Sequence, residues 1–193
     1  IASVVPPLTP IWNQVCRDYL GMTPFVVDAG VRTGVRIRYD NPREVGADRV
    51  VDAAAVRALY SIPACIVDFG TATTFDAVSA EGDYLGGAIA PGIGISAQAL
   101  FARTAKLPRV ELTRPPSAIG RNTPHSIQSG LLFGYVGLVE GMVARFKAEL
   151  GPDTCVVATG GLAETVAREA RVIDVVDPWL TLHGLRIVHE LNL

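Results

Sequence analysis

Apolar and polar positions change period several times along the chain. Val35, Ile37 and Tyr39 alternate with Arg36 and Arg38, the period-two pattern of a half-buried strand. Ala2–Val5 and Phe25–Asp28 read as further short strands. Between them, Thr9-Pro10 supplies an N-cap followed by proline, a combination that opens helices. Ile11, Val15 and Tyr19 then mark the side of that helix expected to be buried, with Gly21 to close it. Asp48–Tyr60 is a predicted helix, since Val51, Ala55 and Leu59 share one face and the segment is rich in alanine. Ala64–Val67 is a continuous apolar strand. Thr73–Val78, the Glu81-Gly82-Asp83 turn and Tyr84–Ala90 form the clearest hairpin signal in the chain. A helix is predicted around Ser96–Arg103, and Leu107–Pro116, rich in Pro and Arg, is expected to be an irregular surface loop. The longest helical pattern runs over His125–Leu150, where Ile127, Leu131, Tyr135, Leu138, Met142 and Phe146 recur at helical spacing. Cys155–Ala158 and Val172–Val176 are predicted strands, and Asp177-Pro178 starts a last helix through Leu191.

Strands alternating with helices, interrupted by one hairpin, define an α/β class with a mixed sheet. A boundary is plausible near Tyr60–Ala64, and no internal repeat or low-complexity linker is visible. Composition narrows the function classes. At 49% hydrophobic and a net charge of −2, the 193 residues are not those of a disordered chain. A polyanion-binding surface is not expected either, because nucleic acid attracts a basic field. No membrane-spanning segment is expected, and no signal peptide is visible. Cys16, Cys65 and Cys155 each sit among apolar residues and are expected to be buried thiols, which fits a reducing cytoplasm. The opening Ile1-Ala2-Ser3-Val4-Val5-Pro6 reads as the middle of a strand, so a preceding segment is expected.

Candidate chemistry concentrates in a few turns. In Asp68-Phe69-Gly70-Thr71-Ala72-Thr73-Thr74 an acidic residue ends an apolar strand, glycine permits a tight turn, and hydroxyls follow. Backbone N–H groups in such a turn can face an anion, and the carboxylate can hold a cation. An ordinary capped hairpin is the alternative. Glu44-Val45-Gly46-Ala47-Asp48-Arg49 precedes a helix. Asp48 is either an N-cap or a general base, beside an Arg that orients a polar substrate. Two carboxylates near one phosphate pocket suit phosphoryl transfer. Gly120-Arg121-Asn122-Thr123, with Ser126 and Gln128-Ser129-Gly130, is either a helix cap or an anion-facing helix end. Thr159-Gly160-Gly161, Gly86-Gly87 and Gly92-Ile93-Gly94 are weak signals without dinucleotide-fingerprint spacing. A P-loop is absent, and His125, His183 and His189 are too scattered for a metal site.

These residues resemble the type III pantothenate kinases of the actin/hexokinase/Hsp70-like ATPase superfamily. The resemblance runs from Ser3-Val4-Val5-Pro6 to Leu182-His183-Gly184-Leu185. Its most specific motifs are Gly46-Ala47-Asp48-Arg49, Asp68 through Thr74, Gly86-Gly87-Ala88-Ile89-Ala90-Pro91-Gly92, and Asn122-Thr123 with Gln128-Ser129-Gly130. It implies two RNase H-like halves with mixed sheets flanked by helices and ATP in the cleft. Residues 1–62 would be the remainder of the first half and residues 63–193 the second. It implies transfer of the ATP γ-phosphate to pantothenate, the first step of coenzyme A synthesis. Asp48 matches the catalytic base; Tyr39, Gly46, Ala47, Asp48, Arg49 and Thr123 match substrate contacts; Thr71 matches an ATP contact. Asp68 matches the ligand of an activating monovalent cation, K⁺ or NH₄⁺. Mg²⁺ with ATP and a homodimer with pantothenate near its interface are also implied. The family opens with an Asp-x-Gly-Asn-Thr phosphate loop, which Asp28-Ala29-Gly30 does not match. A protein without that loop is expected to bind ATP and Mg²⁺ poorly and to be nearly inactive.

A non-catalytic transcription accessory or regulatory protein of the same family is the alternative function, and a different small-molecule kinase on this fold is a weaker one. One further expectation comes from Gly130, Gly134, Gly137 and Gly141, which line one face of the long helix. Each costs about 1 kcal/mol relative to alanine there. The stripe therefore predicts close packing, against a second helix of the same chain or of a dimer partner, or against the chain's own sheet.

Overall fold

The hairpin strands and the apolar strand before them form the centre of a five-stranded sheet ordered β3-β2-β1-β4-β5. The computed structural model describes residues 1–193. β1 (Ala64–Phe69), β2 (Ala72–Val78) and β3 (Tyr84–Pro91) are antiparallel neighbours. β4 (Cys155–Thr159) lies parallel to β1, and β5 (Val175–Val176) parallel to β4. The sheet is thus mixed, as the sequence pattern predicts.

β1 is apolar on both faces because both faces are covered. Ala64 and Ile66 join Val78, Tyr84 and Val157 in one core, with Val51, Ala55 and Val56 of α2 (Ala47–Leu59) and Leu180 and Val188 of α6 (Leu180–Glu190). Cys65, Val67 and Phe69 join Phe75 and Val156 in the other. That second core holds Ile93 of α3 (Ile93–Arg103), six residues of α4 (Thr123–Leu150) including Leu131 and Val139, and Ala163 and Val166 of α5 (Ala163–Ala167). The molecule is a three-layer α/β arrangement with one helical layer on each face.

The closest helix–helix approach lies between α2 and α6. A Cβ on Gly184 would overlap the Val51 carbonyl oxygen and stand 2.5 Å from its carbon. The predicted close packing at the α4 glycines is not found within the chain. A Cβ on Gly130, Gly134 or Gly137 would meet nothing within 4 Å. Leu131, Leu132, Tyr135, Val136 and Val139 carry the buried side of α4 instead, and the glycines face outward. α4 is long and apolar enough to cross a membrane by length and composition alone, but it carries Glu140, Arg145 and Lys147. Its buried residues pack on the sheet.

Three predicted strands do not form. Ile1 donates from its amino terminus to the Phe25 carbonyl at 2.6 Å, and Val27 N–H donates back to Ile1 at 2.8 Å. Around Val35–Tyr39 there is a single bridge, Ile37 to Tyr84. These segments carry the right alternation but lack a continuous ladder, and two short pieces without further neighbours do not make a stable sheet. α1 (Leu8–Leu20) forms, but Ile11 is 56% and Tyr19 82% exposed. Helical period reports which side is apolar; no element of this chain covers that side, and α1 has no buried residue. α5 is an additional short helix beyond the predicted elements, and Ala163, Val166 and Ala170 are spaced helically and buried. Among the cysteines only Cys65 is buried, while Cys16 and Cys155 are half-buried.

Candidate active site

α2 begins at a turn that the sequence sets up locally. Asn41 accepts from Arg43 N–H and opens a short 3₁₀ turn over Pro42–Glu44, and Gly46 then precedes the helix. Asp48 falls in the first turn of α2, where the helix dipole favours a carboxylate. Its Oδ1 accepts from the Arg49 backbone N–H at 2.8 Å, and the residue is half-buried.

Arg49 crosses to strand β2. Its Nε donates to Asp76 Oδ1 at 2.7 Å, and Nη2 lies 2.7 Å from the same oxygen. The Tyr84 hydroxyl donates to that oxygen at 2.8 Å, and the Thr74 hydroxyl to Oδ2 at 3.1 Å. The guanidinium sits 5.8 Å from the Tyr84 ring centre, and the Tyr39 ring lies 6.4 Å from Tyr84. Gly86-Gly87 makes this cluster possible. A Cβ on Gly86 would press on the Tyr39 ring at 3.2 Å, and one on Gly87 would overlap the Phe75 carbonyl oxygen of the neighbouring strand and stand 2.9 Å from Arg49 Nη2. The glycine pair that is weak as a nucleotide fingerprint is therefore a clearance, for the Tyr39 ring at Gly86 and for the β2 backbone and Arg49 at Gly87.

Asp68 ends β1, paired with Thr74 on one side and Thr159 on the other. A Cβ on Gly160, where φ is +90°, would overlap its Oδ1. Burial raises the Asp68 carboxyl to about 6, and the negative charges of Asp48 and Asp76 add to the shift. Asp52, one helical turn after Asp48, is 3% exposed, and its Oδ1 has no hydrogen-bond partner. Burial pushes it to about 7, with Thr181 opposing and Asp68, Asp76 and Asp48 adding. One cationic group, Arg49, thus stands among four acidic ones, and the region favours a bound cation.

The residue set suits some cations better than others. No three His, Cys, Asp or Glu side chains gather as a divalent-metal cage. A single carboxylate beside exposed backbone at the Gly70-Thr71 turn fits a weakly held monovalent cation. Mg²⁺ is commonly held through substrate phosphates, so it needs no such cage.

Among the residues singled out in the sequence, Tyr39, Gly46, Ala47, Asp48 and Arg49 lie together, and Asp68 is close enough for Asp48 to raise its pKa. Thr71 is exposed in the turn that follows Asp68. Thr123 is not brought to them. It lines a separate cavity of about 1120 Å³ between α3 and α4, with Arg103, Arg121, Asn122 and Ser126. The surrounding polar residues have structural jobs: Asn122 caps α4 by accepting from His125 N–H at 2.9 Å. Gln128 donates to Thr113 and the Glu111 carbonyl, and Ser129 to the Ala118 carbonyl, tying down the preceding loop. Asp76, Tyr84 and Asp52 were missed. A carboxylate inside an apolar strand or helix, as at Phe75-Asp76-Ala77 and Val51-Asp52-Ala53, is the signal that could have found the acids.

Comparison with known proteins places this arrangement. A family model described as type III pantothenate kinase matches residues 1–145. A type III pantothenate kinase of Moorella thermoacetica is 59% identical over 192 residues, covering 100% of this chain and 76% of the relative. Relatives of the same description from Dehalococcoides mccartyi and Pelobacter propionicus are each 56% identical over 192 residues and cover all of this chain; it spans 73% and 76% of them. A solved structure from Campylobacter jejuni, described as a conserved Baf family transcriptional activator, shares the fold at a TM-score of 0.56 and 23% identity. That match covers 78% of this chain and 66% of the other. The motifs at Asp48 and Asp68 fall inside the matched region, and the chain belongs to the type III pantothenate kinase family.

Proposed function

We propose that this protein transfers the γ-phosphoryl group of ATP to the primary hydroxyl of pantothenate, giving 4′-phosphopantothenate. The observation that carries the reading is the Asp48-Arg49 pair at the start of α2, set beside Asp68 at the end of β1. Asp48 accepts the hydroxyl proton as the oxygen attacks phosphorus. The new O–P bond forms as the bond to the bridging oxygen breaks, and ADP leaves. Tyr39, Gly46, Ala47 and Arg49 form the wall against which pantothenate is oriented, and the Gly70-Thr71 turn faces the phosphates. Asp68 would hold the monovalent cation. Mg²⁺ with ATP, and K⁺ or NH₄⁺ at Asp68, would supply charge neutralisation for the phosphates when bound.

The same reading takes the fold as actin-like, with residues 63–193 as one RNase H-like half; the mixed sheet covered on both faces supports it. It takes the protein as a cytoplasmic homodimer. Thr123 lies away from Arg49 within one chain, and the outward glycine face of α4 offers a close approach, so a second copy would bring its Thr123 to the first copy's site. A coupled assay of the full-length protein with ATP, Mg²⁺, K⁺ and pantothenate tests the function. Pantothenate-dependent ADP release is expected. Its absence would move the assignment to a non-catalytic regulator.

A further inference from the structure

Asp76 has no place in the chemistry described so far, yet it is 1% exposed and has three side-chain donors. A carboxylate this enclosed is neither a proton acceptor for substrate nor a cation ligand: Oδ1 serves Arg49 and Tyr84, and Oδ2 serves Thr74. Its partners are informative. Arg49 is adjacent to the base Asp48, and Tyr84 packs near Tyr39. Both routes from Asp76 end in the wall assigned to pantothenate. The Arg49 side chain is itself only 11% exposed, so the guanidinium is held in one orientation. Nε donates to Asp76, while Nη2, 2.7 Å from the same oxygen, is buried without a hydrogen bond of its own, which leaves guanidinium N–H groups for a ligand.

We propose that Asp76 is a positioning residue: it fixes the Arg49 guanidinium and the Tyr84 hydroxyl, and through them sets the affinity for pantothenate. This rests on the function proposed above. An Arg–carboxylate pair of this kind gives direction as well as charge. Without Asp76, Arg49 is free to turn away from the substrate wall, while Asp48 keeps its place in the first turn of α2.

The test is steady-state kinetics of the full-length protein with Asp76→Asn, Arg49→Gln and the double variant. Asp76→Asn is expected to raise the pantothenate KM about tenfold or more, with kcat and the ATP KM within about threefold. The double variant is expected to be no worse than Arg49→Gln alone, because the two residues act as one unit. A folded Asp76→Asn protein with the wild-type pantothenate KM, or effects that multiply in the double variant, would overturn the proposal. Should Asp76→Asn fail to fold, Tyr84→Phe and Thr74→Val each remove one donor from the same carboxylate. Each is expected to raise the pantothenate KM by about threefold at constant ATP KM, and an unchanged KM in both would overturn it. Failure of the underlying function reads differently: the wild-type protein itself would then show no pantothenate-dependent ADP release, and the proposal would fall with it.

Discussion

Replacing Asp52 by Asn should stabilise the protein, and by more as the pH rises. Asp52 lies inside α2, 3% exposed, with Oδ1 unbonded. Burial first, and then the neighbouring charges of Asp68, Asp76 and Asp48, carry its pKa from 3.8 to about 7. Below 3.8 the carboxyl is protonated in both folded and unfolded chains and contributes no difference. Between 3.8 and about 7 the folded state holds a proton that the unfolded state has lost, so stability falls as pH rises through that window. Above it the folded protein carries a buried charge at a cost of about 4 kcal/mol, from about 1.4 kcal/mol for each pKa unit. Local opening to water reduces such costs, so a gain of about 2–4 kcal/mol is expected for Asp52→Asn at pH 8. At pH 4 the gain should shrink to within about 0.5 kcal/mol. Urea unfolding of both proteins at pH 4, 6 and 8 reads the difference directly. A variant no more stable than the wild type at pH 8, or a gain equal at pH 4 and 8, would refute the reasoning.

Two other substitutions separate helix propensity from packing. Gly184→Ala should gain about 1 kcal/mol from propensity, yet its Cβ would overlap the Val51 carbonyl. A net loss of about 2 kcal/mol or more is therefore expected in thermal or urea unfolding, and a stabilised variant would show that α2 and α6 are not so close. Gly137→Leu meets open space within the chain, so the subunit should fold with its stability within about 0.5 kcal/mol of wild type. In the proposed homodimer it should shift sedimentation from dimer to monomer, and an intact dimer would remove α4 from the interface.

The legible parts of this molecule were those where one local pattern meets one environment. The hairpin of β2 and β3 alternates and turns as written, and Asn122 and Pro124 announce α4 before its apolar period begins. What could not be read was the partner of each apolar face. Ile11 and Tyr19 on α1 have the same periodicity as residues buried on α2, but nothing in this chain lies over them. The α4 glycines and Gly184 look alike in sequence; only the distance to Val51 tells which one a neighbour presses on. The site divides similarly. Asp48, Arg49 and Asp68 stand at element ends, where local spacing exposes them. Asp76 joins Arg49 across 27 positions of sequence, and only the β2–α2 packing shows that pairing.

Asp48 is the proposed base for phosphoryl transfer to pantothenate. Full-length wild-type protein and Asp48→Asn, incubated with ATP, Mg²⁺, K⁺ and pantothenate, should be compared by mass spectrometry of the product, with circular dichroism as the check on folding. The wild type is predicted to form 4′-phosphopantothenate. The folded Asp48→Asn protein is predicted to form it at least about 100-fold more slowly. Product formed at the wild-type rate by the variant would contradict the account.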